Sequence, residues 1–397
     1  MKWYFGINEQ GVSSDAGHLA RLAVISAQRN TDLKPHLLYR GERNRFTAWM
    51  EDRGVTVIDT LPQFEPVLRR AINGGWYPSG LTGHWLRTEI CHIEQQDEFV
   101  LYTDVDVIFL RSIDLGRLRP RFFACAPETR IDERTHFSSG VMLMNVPALR
   151  ADYPRLRATI EARFLEGPRV PFHDQAIYNS VYAGQWDLLD PVYNWKPYWA
   201  ANPSAAIFHF HGPKVDAIRA MIDGKWAWED ESGYGLKAGE MIATMLPNYL
   251  VYLEVMRDLL EPGDRFRLQL EGVLRDAPAA LPRLRAEWER YRKAAEGLDL
   301  EPDPVVLPAP PGSGVAIPSQ LLATDPTGWQ PDGMQAWVRR DRRAYVFQDA
   351  GAWVAALRHP APGRVDPDFV TDAVGRIVHF PTVLAAQEAC DRGLAAG

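Results

Sequence analysis

The sequence predicts an α/β fold: a mixed, mainly parallel sheet flanked by helices, with a small α/β appendage at the C-terminal end. Three observations predict it. Over the first 130 residues short apolar runs alternate with longer mixed segments, the pattern of successive βα units. The composition, 46% hydrophobic and 24% charged over 397 residues, is that of an ordinary globular chain with room for a large core. A proline-dense stretch then separates the last 60 or so residues from the rest.

Taken in order, Trp3–Ile7 reads as a buried strand, and Ala16–Arg29 as a helix with apolar residues at Leu19, Leu22, Ala23 and Ile25. Strands follow at His36–Tyr39, Val55–Ile58 and Phe99–Thr103, with a helix at Trp85–Glu94 before the last of them. Further strands are expected at Phe122–Ala126, Val141–Val146 and Ala206–Phe210, and helices at Tyr153–Phe164, Asp174–Tyr182, Glu240–Leu260 and Leu281–Ala295. Eight prolines between Glu301 and Gly333 oppose regular structure and mark a linker. Beyond it, Ala344–Phe347 and Arg376–Phe380 are strand-like, while Ala350–Leu357 and Thr382–Arg392 are helix-like. The expected division is a first domain over 1–225, a helical extension over 226–300, a linker over 301–333 and an accessory domain of unknown role over 334–397.

Charge and cysteine usage exclude several classes. Lys and Arg total 44 against 51 Asp and Glu, a net charge of −7, which leaves no basic excess for the phosphates of nucleic acid. Cys91, Cys125 and Cys390 are far apart, so neither a disulfide framework nor a thiolate zinc site is expected. The N-terminal residues lack the apolar core of a signal peptide, and the oily stretch Met241–Met256 is interrupted by Pro247, Asn248 and Glu254. The expectation is a cytoplasmic protein without a transmembrane segment, with peripheral membrane attachment left open.

The most informative segment is Phe99–Phe109, where an apolar strand runs into Asp104, Val105 and Asp106. In extended chain alternate side chains share a face, so the two carboxylates point together while Val105 and Val107 turn inward. Two carboxylates aimed together repel unless a cation lies between them. At the carboxyl end of a strand, where an open α/β sheet binds its ligand, a hard divalent ion would hold a diphosphate.

This segment resembles the DxD motif of GT-A fold glycosyltransferases, specifically family 8, in which an arginine-bearing helix precedes the strand, as Leu86–Arg87–Thr88–Glu89–Ile90 does here. Other segments agree in order. His136–Asn145 resembles the family's "N-A-G-V-L-L-I-N" strand, with Ser138 and Ser139 in place of Asn-Ala. Phe172–Asn179 resembles its "D-Q-D-x-L-N" helix start. Trp186–Leu189 through Asn194 and Trp195 resembles "L-x-x-x-W-N", and Ile207–Lys214 is similar to "I-I-H-Y-x-G-x-x-K-P-W". The resemblance covers roughly residues 1 to 225.

It implies a metal-dependent, retaining transfer of a hexose from a nucleotide diphosphate sugar, UDP-linked, to a glycan, lipid-linked or protein acceptor. Manganese or magnesium would bind Asp104, Asp106 and a third ligand at His209, with His211 a competing candidate. Asn8 would lie in the loop holding the base. Arg87 would contact the donor and balance the acids, and Gly212 and Lys214 would hold the diphosphate. Asp174 and Gln175 would flank the reacting centre, Asp174 as nucleophile or Gln175 beside an oxocarbenium-like centre. Trp195, Tyr198, Trp199, Trp76 and Tyr77 are either stacking faces for an acceptor sugar or core. Two rivals are a binding protein that has lost catalysis, with altered Ser138–Ser139 as its sign, and a sugar nucleotidyltransferase. The latter wants a basic glycine-rich loop, and Gly6–Ser14 has no Lys or Arg.

Overall fold

The computed structural model describes residues 1–75, 77–165, 173–229 and 234–295, with six short strand segments between 329 and 380. Two compact units are present. The first comprises Met1–Trp195 and Ala205–His211, and the second Lys196–Ser204 and Gly212–Gly397.

The first unit is built on β1 (Lys2–Asn8), β2 (Lys34–Arg40), β3 (Thr56–Asp59), β4 (Phe99–Thr103), β5 (Val107–Phe109), β6 (Phe123–Pro127), β7 (Phe137–Asn145), β8 (Asp187–Leu188) and β9 (Ile207–His209). Seven of these form one sheet in the order β3-β2-β1-β4-β7-β6-β8. The β3, β2, β1 and β4 strands run parallel, and β7 runs antiparallel to both β4 and β6. The sheet is therefore mixed and mainly parallel, as the alternating pattern predicts. Strands β5 and β9 form a separate antiparallel pair with Val107 opposite His209.

Both faces of the sheet are covered, and alternation along each strand divides the core in two. On one face Tyr4, Tyr102, Cys125 and Met142 pack with Trp85, Leu86 and the helix Val146–Leu165. On the other, Trp3, Phe5, Leu101, Val141 and Leu143 pack with Ala20, Ala23 and Val24 of the helix Asp15–Asn30. Ser14 caps that helix, its hydroxyl accepting from the Ala16 N–H. Cys91 and Cys125 are both buried.

Several elements differ from expectation. The segment predicted as a helix from Trp85 is a 3-10 run over Ser79–Glu89 followed by a single α-turn, Ile90–Ile93. Its core-facing residues, Trp85, Leu86 and Ile90, are spaced in a way either helix type satisfies. Helices Arg45–Asp52, Glu65–Asn73 and Val215–Ile222 were not legible, being eight or nine residues long and mixed in composition.

In the second unit, helices Val215–Ile222 and Tyr234–Asp258 both pack against Arg265–Ala295, which begins well before the predicted Leu281. Among the described residues no helix is long and apolar enough to cross a membrane. The described strands Trp329–Pro331, Ala336–Arg339, Ala344–Asp349, Ala352–Leu357, Asp368–Phe369 and His379–Phe380 pair antiparallel. Ala352–Leu357 is thus a strand rather than the predicted helix, the usual ambiguity of a short apolar run. The predicted helix Thr382–Arg392, Cys390 and most of the proline-rich stretch lie outside the described residues.

Candidate active site

The acidic pair sits where one ladder gives way to another. Strand β4 ends at Thr103, the chain bends through Asp104–Asp106, and β5 begins at Val107 with β9 as its new partner. The strand ends at Thr103 as expected, but the pair lies in a bend rather than in extended chain, because the ladder partner changes at that point. Backbone hydrogen bonds hold the bend on both sides. Asp104 N–H donates to Gly140 O at 2.8 Å, and Phe210 N–H donates to Asp106 O at 2.7 Å. Val107 enters the core as predicted.

Asp104, Asp106 and His209 converge, each offering a ligand atom within 4.8 Å of the others. His209 is 3% exposed, and its Nε2 lies 3.4 Å from Asp106 Oδ1. Gly140 makes this possible, since a Cβ there would stand 2.2 Å from His209 Cε1 and 3.1 Å from Asp104 Oδ2. Two carboxylates and one imidazole suit a divalent ion of manganese type better than calcium, which prefers all-oxygen sites. The residues present fit such an ion. His211 is turned differently, with Nε2 3.3 Å from Glu128 Oε1 and its ring edge-on to His209.

Arg87 is the hub of the surrounding charges. It is 2% exposed, with Nη2 donating to Asp104 Oδ1 at 2.7 Å, Nη1 donating to Ser139 O, and Nε 2.8 Å from Asp174 Oδ2. Its guanidinium carbon lies 4.2 Å from the Tyr102 ring centroid, and Tyr102 O–H also donates to Asp104 Oδ1. Burial alone would lower its pKa, but Asp174, Tyr102 and Asp104 outweigh burial and hold it above the ordinary arginine value. Glu89, two residues along the same segment, is engaged elsewhere and accepts from Tyr153 O–H and Gln63 N–H.

Asp174 opens the helix Asp174–Val181 and is 3% exposed. Its Oδ1 lies 3.9 Å from Nδ1 of the half-exposed His84. Next to it Gln175, and one turn further Asn179, face β7. Gln175 Oε1 accepts from Ser139 N–H at 2.9 Å, while Asn179 accepts from Phe137 N–H and donates to Phe137 O. These i and i+4 amides match the i and i+2 backbone groups of the strand, so they set the helix against it.

Other candidates fall elsewhere. Asn8 donates to Ser79 O and Thr82 Oγ1 and accepts from Gly11 N–H, so both ends of its amide shape the loop that follows β1. Gly212 and Lys214 belong to the second unit. Gly212 takes φ +92°, with Tyr249 Oη 2.6 Å from where a Cβ would stand, and Lys214 is the N-cap residue of Val215–Ile222. Tyr77, Trp195, Tyr198 and Trp199 are at most 3% exposed and are core rather than stacking faces, and Trp76 lies outside the described residues. Asn194, to which the sequence gave no role, places Oδ1 2.9 Å from His209 Nδ1. Its signal was its position before Trp195.

Residues 119–214 match the model of Glycosyl transferase family 8. No match was found among curated protein sequences. Similar solved structures include the glycosyltransferase GlyE of Streptococcus pneumoniae TIGR4, at 19% identity over 53% of this chain and 54% of that one, TM-score 0.40. The chain thus spans about half the length of GlyE. The galactosyltransferase LgtC is 16% identical over 68% of this chain and all of its own, TM-score 0.43, and mouse xyloside xylosyltransferase 1 is 14% identical over 53% and 96%, TM-score 0.39. The family match covers residues 119–214 and supports a glycosyltransferase resembling family 8. The matched segment holds Gly140, Asp174, Gln175, Asn194 and His209, while Arg87, Asp104 and Asp106 precede it.

Proposed function

We propose that this chain moves a hexose from a nucleotide diphosphate sugar, UDP-linked, to a hydroxyl of a glycan, lipid-linked or protein acceptor in the cytoplasm, with retention of configuration. Manganese, or magnesium, is the cofactor. The observation that carries the reading is the convergence of Asp104, Asp106 and His209 beside the buried Arg87. These three residues would hold the ion, which when bound offsets the charge of the departing diphosphate.

The state of Asp174 bears on the route. Its carboxylate is held by Arg87 at 2.8 Å and is almost wholly buried, which makes it a poor nucleophile. This supports attack of the acceptor hydroxyl from the face the diphosphate leaves. The C–O bond to the leaving phosphate breaks as the bond to the acceptor oxygen forms, and a phosphate oxygen takes the hydroxyl proton. Gln175, anchored on Ser139, supplies its amide dipole beside the oxocarbenium-like centre. Asn8 is assigned to the base loop, and Gly212 and Lys214 to the diphosphate, on the resemblance.

Incubation with Mn2+ and a panel of UDP- and GDP-sugars tests the reading. Slow hydrolysis of one donor, abolished by EDTA, is expected. Full turnover in EDTA would sink metal dependence, and donor binding without any turnover would favour the binding protein that has lost catalysis.

A further inference from the structure

We infer that Asn194 is the positioning residue that prepares His209 to receive a cation, an inference that rests on the metal-dependent reading above. The placement starts in the backbone. Trp195 N–H donates to Ile207 O at 2.9 Å and His209 N–H donates to Trp195 O at 2.7 Å, so the chain before Trp195 is laced to β9 and Asn194 is carried alongside the imidazole.

The two side chains are 0% and 3% exposed, and Asn194 Oδ1 lies 2.9 Å from His209 Nδ1. An amide oxygen only accepts, so in the neutral ring this contact keeps the proton on Nδ1 and leaves Nε2 as the ligand atom. That lone pair lies 3.4 Å from a carboxylate oxygen of Asp106, an arrangement that repels until a cation enters between them. The ring is also confined on its Gly140 side, where even a methyl group would overlap Cε1 and Nδ1.

The other end of the same amide completes the argument. Asn194 Nδ2 is buried with no hydrogen-bond partner. A buried donor left unmatched does not serve stability. The residue instead serves its oxygen, and turning the amide over would present Nδ2 to the ring, move the ring proton to Nε2 and block the ligand atom. Partners behind a metal-binding imidazole act in this way in general, fixing tautomer and orientation.

The test reads the tautomer and the affinity separately. Long-range 1H–15N spectra of 15N-histidine-labelled, metal-free protein at pH 8 are expected to show His209 protonated on Nδ1. Asn194→Leu should lose that preference and bind Mn2+ about 10 to 100 times more weakly, with its circular dichroism retained. Asn194→Asp, which keeps the acceptor, should retain both the tautomer and the affinity, and it carries the comparison if the leucine variant fails to fold. An Nε2–H tautomer in the unmutated protein would overturn the inference, as would wild-type Mn2+ affinity in Asn194→Leu. A protein with the Nδ1–H tautomer that binds no Mn2+ would refute the metal reading while upholding the hold of Asn194 on the ring.

Discussion

Arg87 and Asp174 meet with Nε and Oδ2 2.8 Å apart, both almost entirely buried, although 87 positions separate them in the chain. The other side of the same guanidinium holds Asp104. One cation therefore ties the start of the Asp174–Val181 helix to the acid bend, so the residues assigned to the reacting centre and to the metal share a single support. Removing one partner of a buried ion pair costs about 3–5 kcal/mol, because the remaining charge is left uncompensated. Arg87→Ala should lose stability on that scale in urea unfolding and all transfer activity. Arg87→Lys should recover part of the stability but not the bidentate reach to both acids.

The two acids of the bend should separate in experiment. The Arg87 guanidinium pairs with Asp104 and Asp174, so Asp106→Asn leaves that buried cation held and is expected to abolish Mn2+-dependent turnover with a smaller fall in melting temperature than Asp104→Asn. Asp104→Asn also removes the charge that pairs with the buried Arg87. It should lose turnover and about 1–3 kcal/mol of stability, and equal melting temperatures for the two variants would contradict this division.

Gly140→Ala probes the same site from behind. The added methyl would stand 2.2 Å from His209 Cε1, in a region where His209 is 3% exposed and has no room to retreat. Overpacking of this kind costs about 1–3 kcal/mol. Calorimetric titration should show Mn2+ affinity falling by more than the stability change alone would cause.

Asn179 is expected to matter although it lies outside the proposed chemistry. It makes hydrogen bonds to Phe137 N–H and O and to Gln175 O. Asn179→Ala should cost about 1–3 kcal/mol and lower the turnover number more than it changes the Michaelis constant for donor, since it frees the helix that carries Asp174 and Gln175.

Acid stability should depend on Glu94. Burial opposes its charge, but Lys2, the Asp97 and Gln96 N–H groups and Tyr4 O–H outweigh burial and hold its pKa at about 2, below the ordinary 4.5. A carboxyl depressed by folding adds stability above its unfolded pKa and loses it as pH falls toward the folded value, here over the window from 4.5 down to about 2. The contribution is about 3 kcal/mol by linkage. Glu94→Gln should flatten the decline in melting temperature across that window, and an unchanged acid profile would count against the assignment.

Much of the first unit was legible because its strands are short apolar runs at regular spacing: Phe99–Thr103 appears at the predicted bounds and Trp3–Ile7 within one residue at either end. The acid pair and His209 were legible from motif order, and the structure brings them together. The bend itself was not, because a change of ladder partner leaves no mark on the periodicity of Leu101 to Phe109. Nor was Asn194, since a buried amide that orients another side chain differs in nothing local from one that ends a turn. The aromatic residues were left open between two roles. Trp195, Tyr198 and Trp199 have the composition of a sugar platform, and only burial reveals them as core.

The three-residue ladder of β5 and β9 has a consequence for how the protein is made. His209 is about a hundred residues downstream of Asp104, and the chain leaves the first unit at Lys196 and rejoins it at Ala205 before reaching it. A nascent or clipped chain that stops short of Ile207 therefore carries the acids without their imidazole. A cation with affinity only for the finished triad adds about 2.7 kcal/mol when present at a hundred times its dissociation constant. Manganese would then act as a stitch between the Asp104–Asp106 bend and β9, and resistance of the first unit to proteolysis would rise with its concentration.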